Sequence, residues 1–285
     1  MYVQKSVTGE IVMGKFDGIL ICTDLDGTLL NSEHKVSREN GDAIEYFKSE
    51  GGLFTFVTGR MPYYVGTTFD CVKPNIPYGC VNGGGVYDHV KNEYIWTHSM
   101  DREVLELIEH IDKVFPSVGI QVATFEHTYF CKDNSTMRWF RELTGVENLV
   151  CHYTQIREPM AKIIFGTDDG GEFEMMKREL HSHKLAEKFD FICSTPTLYE
   201  VLPKGMGKGV AIQKMCEILG FDINKTLSIG DYDNDVSMFK ATKIGVAVAN
   251  ASPRALEAAD FVTVSNNEHA VARLIYDLES GKYKV

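Results

Sequence analysis

Apolar residues in this chain come largely in short runs that end in small or polar residues. Ile19-Leu20-Ile21-Cys22 climbs into Thr23-Asp24-Leu25-Asp26-Gly27-Thr28-Leu29. A run this short, ending in turn chemistry, reads as a buried strand of a parallel sheet. Ala43, Ile44 and Phe47 then share one face of a helix that Ser37 would cap and Gly51-Gly52 would end. Leu53 to Val57 predicts a second buried strand, stopping at Thr58-Gly59-Arg60. A helix is expected next, with Pro62 near its first turn, a place proline tolerates. Tyr78 to Val81 predicts a third strand, ending in Asn82-Gly83-Gly84-Gly85. This β-α-β-α-β alternation is the pattern of a doubly wound, Rossmann-like parallel sheet.

The rhythm then changes. Val86-Tyr87 and Tyr94-Ile95-Trp96 read as a hairpin, followed by a helix near 102–114 with Val104, Leu107, Ile108 and Ile111 on one face. Strands are expected near 120–123, 128–131, 162–165, 189–193 and 198–202, with helices near 137–143 and 173–184. Neighbouring strands with helices between them suggest an α+β domain on an antiparallel sheet. From Lys208 the alternation resumes, through strands near 226–229, 244–248 and 261–264. The expected division is therefore an α/β core of residues 1–82 and 203–285, with an inserted α+β domain over 83–202.

A length of 285 residues with 44% hydrophobic content can bury two cores. The net charge of −11 speaks against nucleic acid or an anionic membrane as partner. A small phosphorylated molecule stays open, because local cations or a metal can outweigh the global field. Seven cysteines without a C-x-x-C pair suggest reduced thiols in a cytoplasmic protein. No apolar run is as long as a membrane span, and no signal-peptide core stands at the N-terminus. Residues 1–12 fit no element, and Met13-Gly14-Lys15 would be a natural start. A monomer or weak homo-oligomer is the expectation.

The polar residues at the strand ends carry the chemistry. Asp24 and Asp26, Thr58, Asn82 and the cluster Asp231 to Asp235 each follow a predicted core strand, and Lys208 opens a helix. Strand C-termini of such a sheet converge on one crevice. Carboxylates massed there raise one another's pKa unless a cation sits among them. Asp24, Asp26 and Asp231 are hard oxygen donors suited to Mg²⁺. Thr58 offers a hydroxyl and its loop backbone N–H groups, and Lys208 is a mobile point charge suited to phosphate. A carboxylate nucleophile beside metal, lysine and hydroxyl is built for phosphoryl transfer through an aspartyl-phosphate.

These residues resemble the four motifs of the haloacid dehalogenase superfamily, in particular its Cof-type, sugar-phosphatase-like branch with a large α/β cap. Asp24-Leu25-Asp26-Gly27-Thr28 is similar to the first motif, Thr58 to the second, Gly207-Lys208-Gly209 to the third and Gly230-Asp231 to Asp235 to the fourth. The resemblance implies Asp24 as nucleophile and Asp26 as general acid and base. It implies Mg²⁺ held by the Asp24 and Asp231 side chains and the Asp26 carbonyl, with Asp235 orienting the metal shell. Thr58, Gly59, Lys208 and Asn234 would contact the phosphoryl group, and Arg60, Asn82 and Asn250 would support the site. The inserted domain would act as a lid. The implied activity is hydrolysis of a small phosphorylated metabolite, a sugar phosphate above all. The alternatives are a phosphomutase on the same chemistry and a catalytically idle binding protein on the same fold. One departure stands out: where the branch often has Asp-Gly shortly after its final Asn, this chain has Asn267-Glu268-His269-Ala270.

Overall fold

Strand β1, Leu20–Thr23, is fully buried and pairs in parallel with β11 (Thr226–Gly230) on one side and β2 (Leu53–Phe56) on the other. The computed structural model describes residues 14–65 and 71–285, so the reading of residues 1–12 as an extension lies outside them. Beyond β11 the sheet continues in parallel through β12 (Ile244–Ala247) to β13 (Phe261–Val262). Alternation sends Leu20 and Cys22 to one face, where they join Ala211, Ile212 and Met215 of α5 (Lys208–Leu219) and Met238 and Phe239 of α6 (Val236–Ala241). Helix α1, Arg38–Ser49, packs against α8, Ala270–Glu279. Ser37 accepts from the Asn40 amide as its N-cap, and Ala43, Ile44 and Phe47 are buried as their spacing predicts.

Two expectations need correction. The helix expected after Arg60 is, within the described residues, a single 3₁₀ turn, Pro62–Tyr64. Its tyrosines are fixed by side-chain contacts: Tyr63 shares a hydrogen bond with Thr128, and Tyr64 lies within electrostatic reach of Lys162 and Glu200. The inserted domain also starts later than residue 83. Strand β3 (Tyr78–Cys80) pairs antiparallel with β4 (Gly85–Asp88), which pairs with β5 (Glu93–Thr97), so the hairpin stays with the core. Among the described residues, the core unit comprises those up to Gly59, those of Val65–Trp96 and Gly207–Val285, and the other unit Arg60–Tyr64 with Thr97–Met206.

The second unit is built on an antiparallel sheet ordered β7-β6-β8-β10-β9, from Thr128–Lys132, Gly119–Thr124, Met160–Gly166, Leu198–Pro203 and Phe189–Thr195. On one face lie Val104, Leu107, Ile108 and Ile111 of α2 (Val104–Val114) and Phe173, Met176 and Leu180 of α4 (Gly170–Ser182). They meet Ile120, Val122, Ile163, Phe165 and Val201 of the sheet. Met137 of α3 (Ser135–Thr144) packs with Phe130, Ile164 and Leu198. Among the described residues no helix is long and apolar enough to cross a membrane. Ile163, fully buried, anchors the larger cluster. Ile163→Ala should cost about 2–5 kcal/mol of stability, read as a lowered denaturant midpoint; an unchanged midpoint would contradict this core.

Candidate active site

The ladder between β1 and β11 runs one residue past the strand, because the Asp24 amide donates to the Ile229 carbonyl at 3.0 Å. That bond fixes Asp24 at the strand end, 6% exposed, while Asp26 beyond it is exposed. Leu30 N donates back to the Leu25 carbonyl at 2.8 Å, closing the turn. Gly27 lies in that turn with φ 78°, and a Cβ there would stand 2.4 Å from Asp231 Oδ2. Only glycine allows both the dihedral and the approach. Thr28 Oγ1 donates to Asp231 Oδ1 at 2.9 Å, which ties the first acidic loop to the second.

Strand β11 delivers that second loop. Asp235 Oδ2 accepts from the amides of Asp231 (2.8 Å) and Tyr232 (3.0 Å), folding Asp233–Asp235 into a 3₁₀ turn. Its Oδ1 accepts from Lys208 Nζ at 2.5 Å, and Lys208 Nζ also lies 2.7 Å from Asp24 Oδ1. Lys208 is 1% exposed at the start of α5.

The electrostatics follow from burial and from the count of charges. Burial pushes the Asp24 carboxyl well above the usual carboxylate range; Lys208 opposes the rise, and Asp235, Asp231 and Asp26 add to it. Burial and Asp235 push Asp231 up to about 6, against Lys208 and the hydrogen bonds from Thr28 and Asp24. Burial alone would lower Lys208, yet Asp235 and Asp24 hold it above its ordinary value. Three carboxylates facing one ammonium leave two negative charges unbalanced when all are ionised. Asp24, Asp231 and Asp235 each bring an oxygen within 4.8 Å of the others. A divalent cation with a preference for hard oxygen fits this donor set and would supply the missing charge.

The remaining expected residues fall into two groups. Thr58 is buried after β2; its amide donates to the Gly79 carbonyl (3.0 Å), and its carbonyl accepts from the Asn82 amide (3.1 Å). Asn82 Oδ1 accepts from Asn234 Nδ2 at 3.0 Å, and Gly59 lies against the Asn82 side chain. Asn250 Nδ2 donates to the Gly27 carbonyl (2.9 Å), supporting the first loop. Arg60 is the exception, since it groups with the second unit and not with the core.

Sequence reasoning assigned no role to Thr28 or Asn266. Asn266 is 7% exposed; its amide donates to Asn250 Oδ1 and its Nδ2 to the Leu30 carbonyl. A polar residue after the last strand was the available signal, and it is a weak one. The departure at Asn267-Glu268-His269 resolves locally. His269 takes the left-handed backbone, φ 62°, that glycine would fill more easily, and its Nδ1 pairs with Ser37 Oγ at 2.9 Å.

The family model for haloacid dehalogenase-like hydrolases matches residues 21–275. The chain is 30% identical over 289 residues to the 5-amino-6-(5-phospho-D-ribitylamino)uracil phosphatase YwtE of Bacillus subtilis (strain 168), covering 92% of this chain and 99% of that protein. A haloacid dehalogenase-like hydrolase from Bacteroides thetaiotaomicron superposes with a TM-score of 0.79 at 25% identity, over 91% of this chain and 99% of that one. A subclass IIB sugar phosphatase shares the fold, with a TM-score of 0.79 at 20% identity over 91% and 98% of the two chains. The protein belongs to the haloacid dehalogenase-like hydrolases, in their Cof-type branch, with an α+β domain inserted into the α/β core.

Proposed function

We propose that this hydrolase is a Mg²⁺-dependent phosphatase that cleaves a small sugar or polyol phosphate through an aspartyl-phosphate on Asp24. The observation that carries the reading is the pairing of a buried, Lys208-bound Asp24 with an exposed Asp26 two residues on. The roles are assigned by place: Lys208 and a bound cation would keep the buried Asp24 ionised as the nucleophile, and Asp26 on the same turn would serve the leaving oxygen. The name of the B. subtilis relative, a phosphatase of a phosphoribityl compound, supports an ester on a polyol or sugar. All seven cysteines carry free thiols, which agrees with a cytoplasmic setting.

In this mechanism an Asp24 oxygen attacks phosphorus and the bond to the leaving oxygen breaks. Asp26 gives that oxygen its proton. Asp26 then takes a proton from the water that attacks the aspartyl-phosphate, releasing inorganic phosphate and restoring Asp24. Lys208 keeps Asp24 oriented and offsets its charge, while Thr58, Gly59 and Asn234 donate to the phosphoryl oxygens. Asn234 spends one amide hydrogen on Asn82 and keeps the second. Held by Asp24, Asp231 and the Asp26 carbonyl, with Asp235 behind them, Mg²⁺ would neutralise charge between nucleophile and phosphoryl group.

A panel of phosphorylated metabolites assayed with Mg²⁺ tests the reading, and release of inorganic phosphate separates it from transfer to a second sugar position. Chelation by EDTA should abolish hydrolysis of p-nitrophenyl phosphate, and Mg²⁺ should restore it. Full activity in chelator would remove the metal from the proposal.

The two aspartates should fail differently. Asp24→Asn should abolish turnover and any trapped phosphoenzyme, because the attacking oxygen is gone. Asp26→Asn should lower turnover by about 10²–10⁴-fold. With an activated aryl or acyl phosphate the leaving group needs little protonation, so Asp24 should still be phosphorylated and phosphoenzyme should accumulate. Rapid-quench labelling decides between them. Label on the Asp24→Asn protein would show that the nucleophile lies elsewhere.

A further inference from the structure

The turn after β3 is strained where it need not be. Val81 and Asn82 adopt left-handed backbone, with φ 56° and 49°, and both are almost completely buried. For a β-branched residue like Val81 such a φ is a genuine outlier, whereas asparagine tolerates it better. Gly83 already takes a positive φ of 96°, and Gly84 and Gly85 behind it could do the same almost freely. Reversing the chain therefore does not require strain at a valine and an asparagine.

The contacts of the bend give it a purpose. Asn82 N donates to the Thr58 carbonyl, and Asn82 Oδ1 accepts from Asn234 Nδ2. A Cβ on Gly59 would stand 2.8 Å from Asn82 Oδ1, and one on Gly83 would stand 1.9 Å from the Gly207 carbonyl. One bend therefore touches the loop after β2, the loop after β11 and the residue ahead of Lys208. The Asn234 amide is held at its nitrogen by Asn82, while its Oδ1 is buried with no protein partner. That oxygen can only accept, so what the bond to Asn82 sets is the direction of the second Nδ2 hydrogen, the one left to donate to a phosphoryl oxygen.

We propose that Asn82 is a positioning residue, which the strained Val81–Asn82 bend holds in place so that Asn234 and the Thr58 loop meet a phosphoryl group in fixed geometry. The inference rests on the reading above, in which Thr58 and Asn234 contact that group. Strain held in the free protein then serves preorganisation: the donors need not be ordered when the substrate arrives.

A double-mutant cycle on the full chain tests this, with p-nitrophenyl phosphate as substrate, inorganic phosphate as competitive inhibitor and Mg²⁺ present. Asn82→Gly suits the backbone and deletes only the side chain. It should raise KM and the phosphate inhibition constant and lower kcat/KM, by about tenfold, without lowering the melting temperature. Asn234→Ala should do the same, and the double variant should be no worse than the poorer single one, because Asn82 acts through Asn234. A merely structural role would shrink the active fraction and leave KM and the inhibition constant unmoved. Constants within twofold of wild type in Asn82→Gly would overturn the proposal, as would effects that multiply in the double variant. Should Asn82→Gly fail to fold, Asn234→Ala alone carries the test, because Asn82 acts through Asn234: constants within twofold of wild type would overturn the proposal. A wild-type protein that neither hydrolyses the ester nor is inhibited by phosphate would instead overturn the phosphatase reading.

Discussion

The core site depends on one buried ammonium. Lys208 is 1% exposed and sits on the first residue of α5, where the helix dipole disfavours a positive charge. Burying such a charge costs several kcal/mol unless close partners compensate. Asp24 and Asp235 provide them, from two different strand ends, at 2.7 and 2.5 Å. The ammonium thus fixes the loop after β1 and the loop after β11 relative to the start of α5. The helix gives up something for this placement. Gly207 at its N-cap offers no side chain, and the Gly209 amide is satisfied from outside by Ser237 Oγ at 3.2 Å.

The parallel sheet explains why these groups meet at all. Every strand from β13 to β2 points the same way, so each releases its polar residues at the same edge. The backbone then makes fine adjustments at particular residues. Gly27 lets a carboxylate of the opposite loop approach its Cα, and Val81 and Asn82 accept unfavourable dihedrals so that a side-chain amide can bridge two loops. Topology brings the residues to one edge; local dihedrals set which atoms touch.

Much of this was legible in the sequence, for identifiable reasons. Buried strands and the amphipathic faces of α1 and α2 follow from periodicity, which reflects burial directly. Asp24 was legible because a turn gives no reason for a carboxylate at the very end of a buried strand, whereas turn and capping chemistry explain part of Asp26-Gly27 and of Asp231 to Asp235. What failed depended on long-range pairing. The hairpin β4–β5 reads as a change of rhythm, yet its pairing with β3 assigns it to the core. Pro62 is compatible with a helix start, but Tyr63 and Tyr64 are fixed by residues far along the chain. The Asn82–Asn234 bond spans 152 positions, and no local pattern announces it. His269 shows the converse, a residue that looks wrong for its turn and adopts the required φ anyway.

A second buried lysine shows what makes the first one a site. In the antiparallel sheet Lys162 lies 2.8 Å from Glu200, the two 2% and 5% exposed. Burial alone would lower the Lys162 pKa, and Glu200 and Tyr64 outweigh it. There one ammonium faces one carboxylate at ion-pair distance. Around Lys208 the carboxylates outnumber the ammonium, and Asp24 and Asp231 respond by holding protons more tightly. That excess of negative charge is costly in a protein without ligand, and a divalent cation bound there would offset it. Burial of a lysine therefore does not by itself single out the candidate site in this chain; what singles it out is the charge its partners leave over.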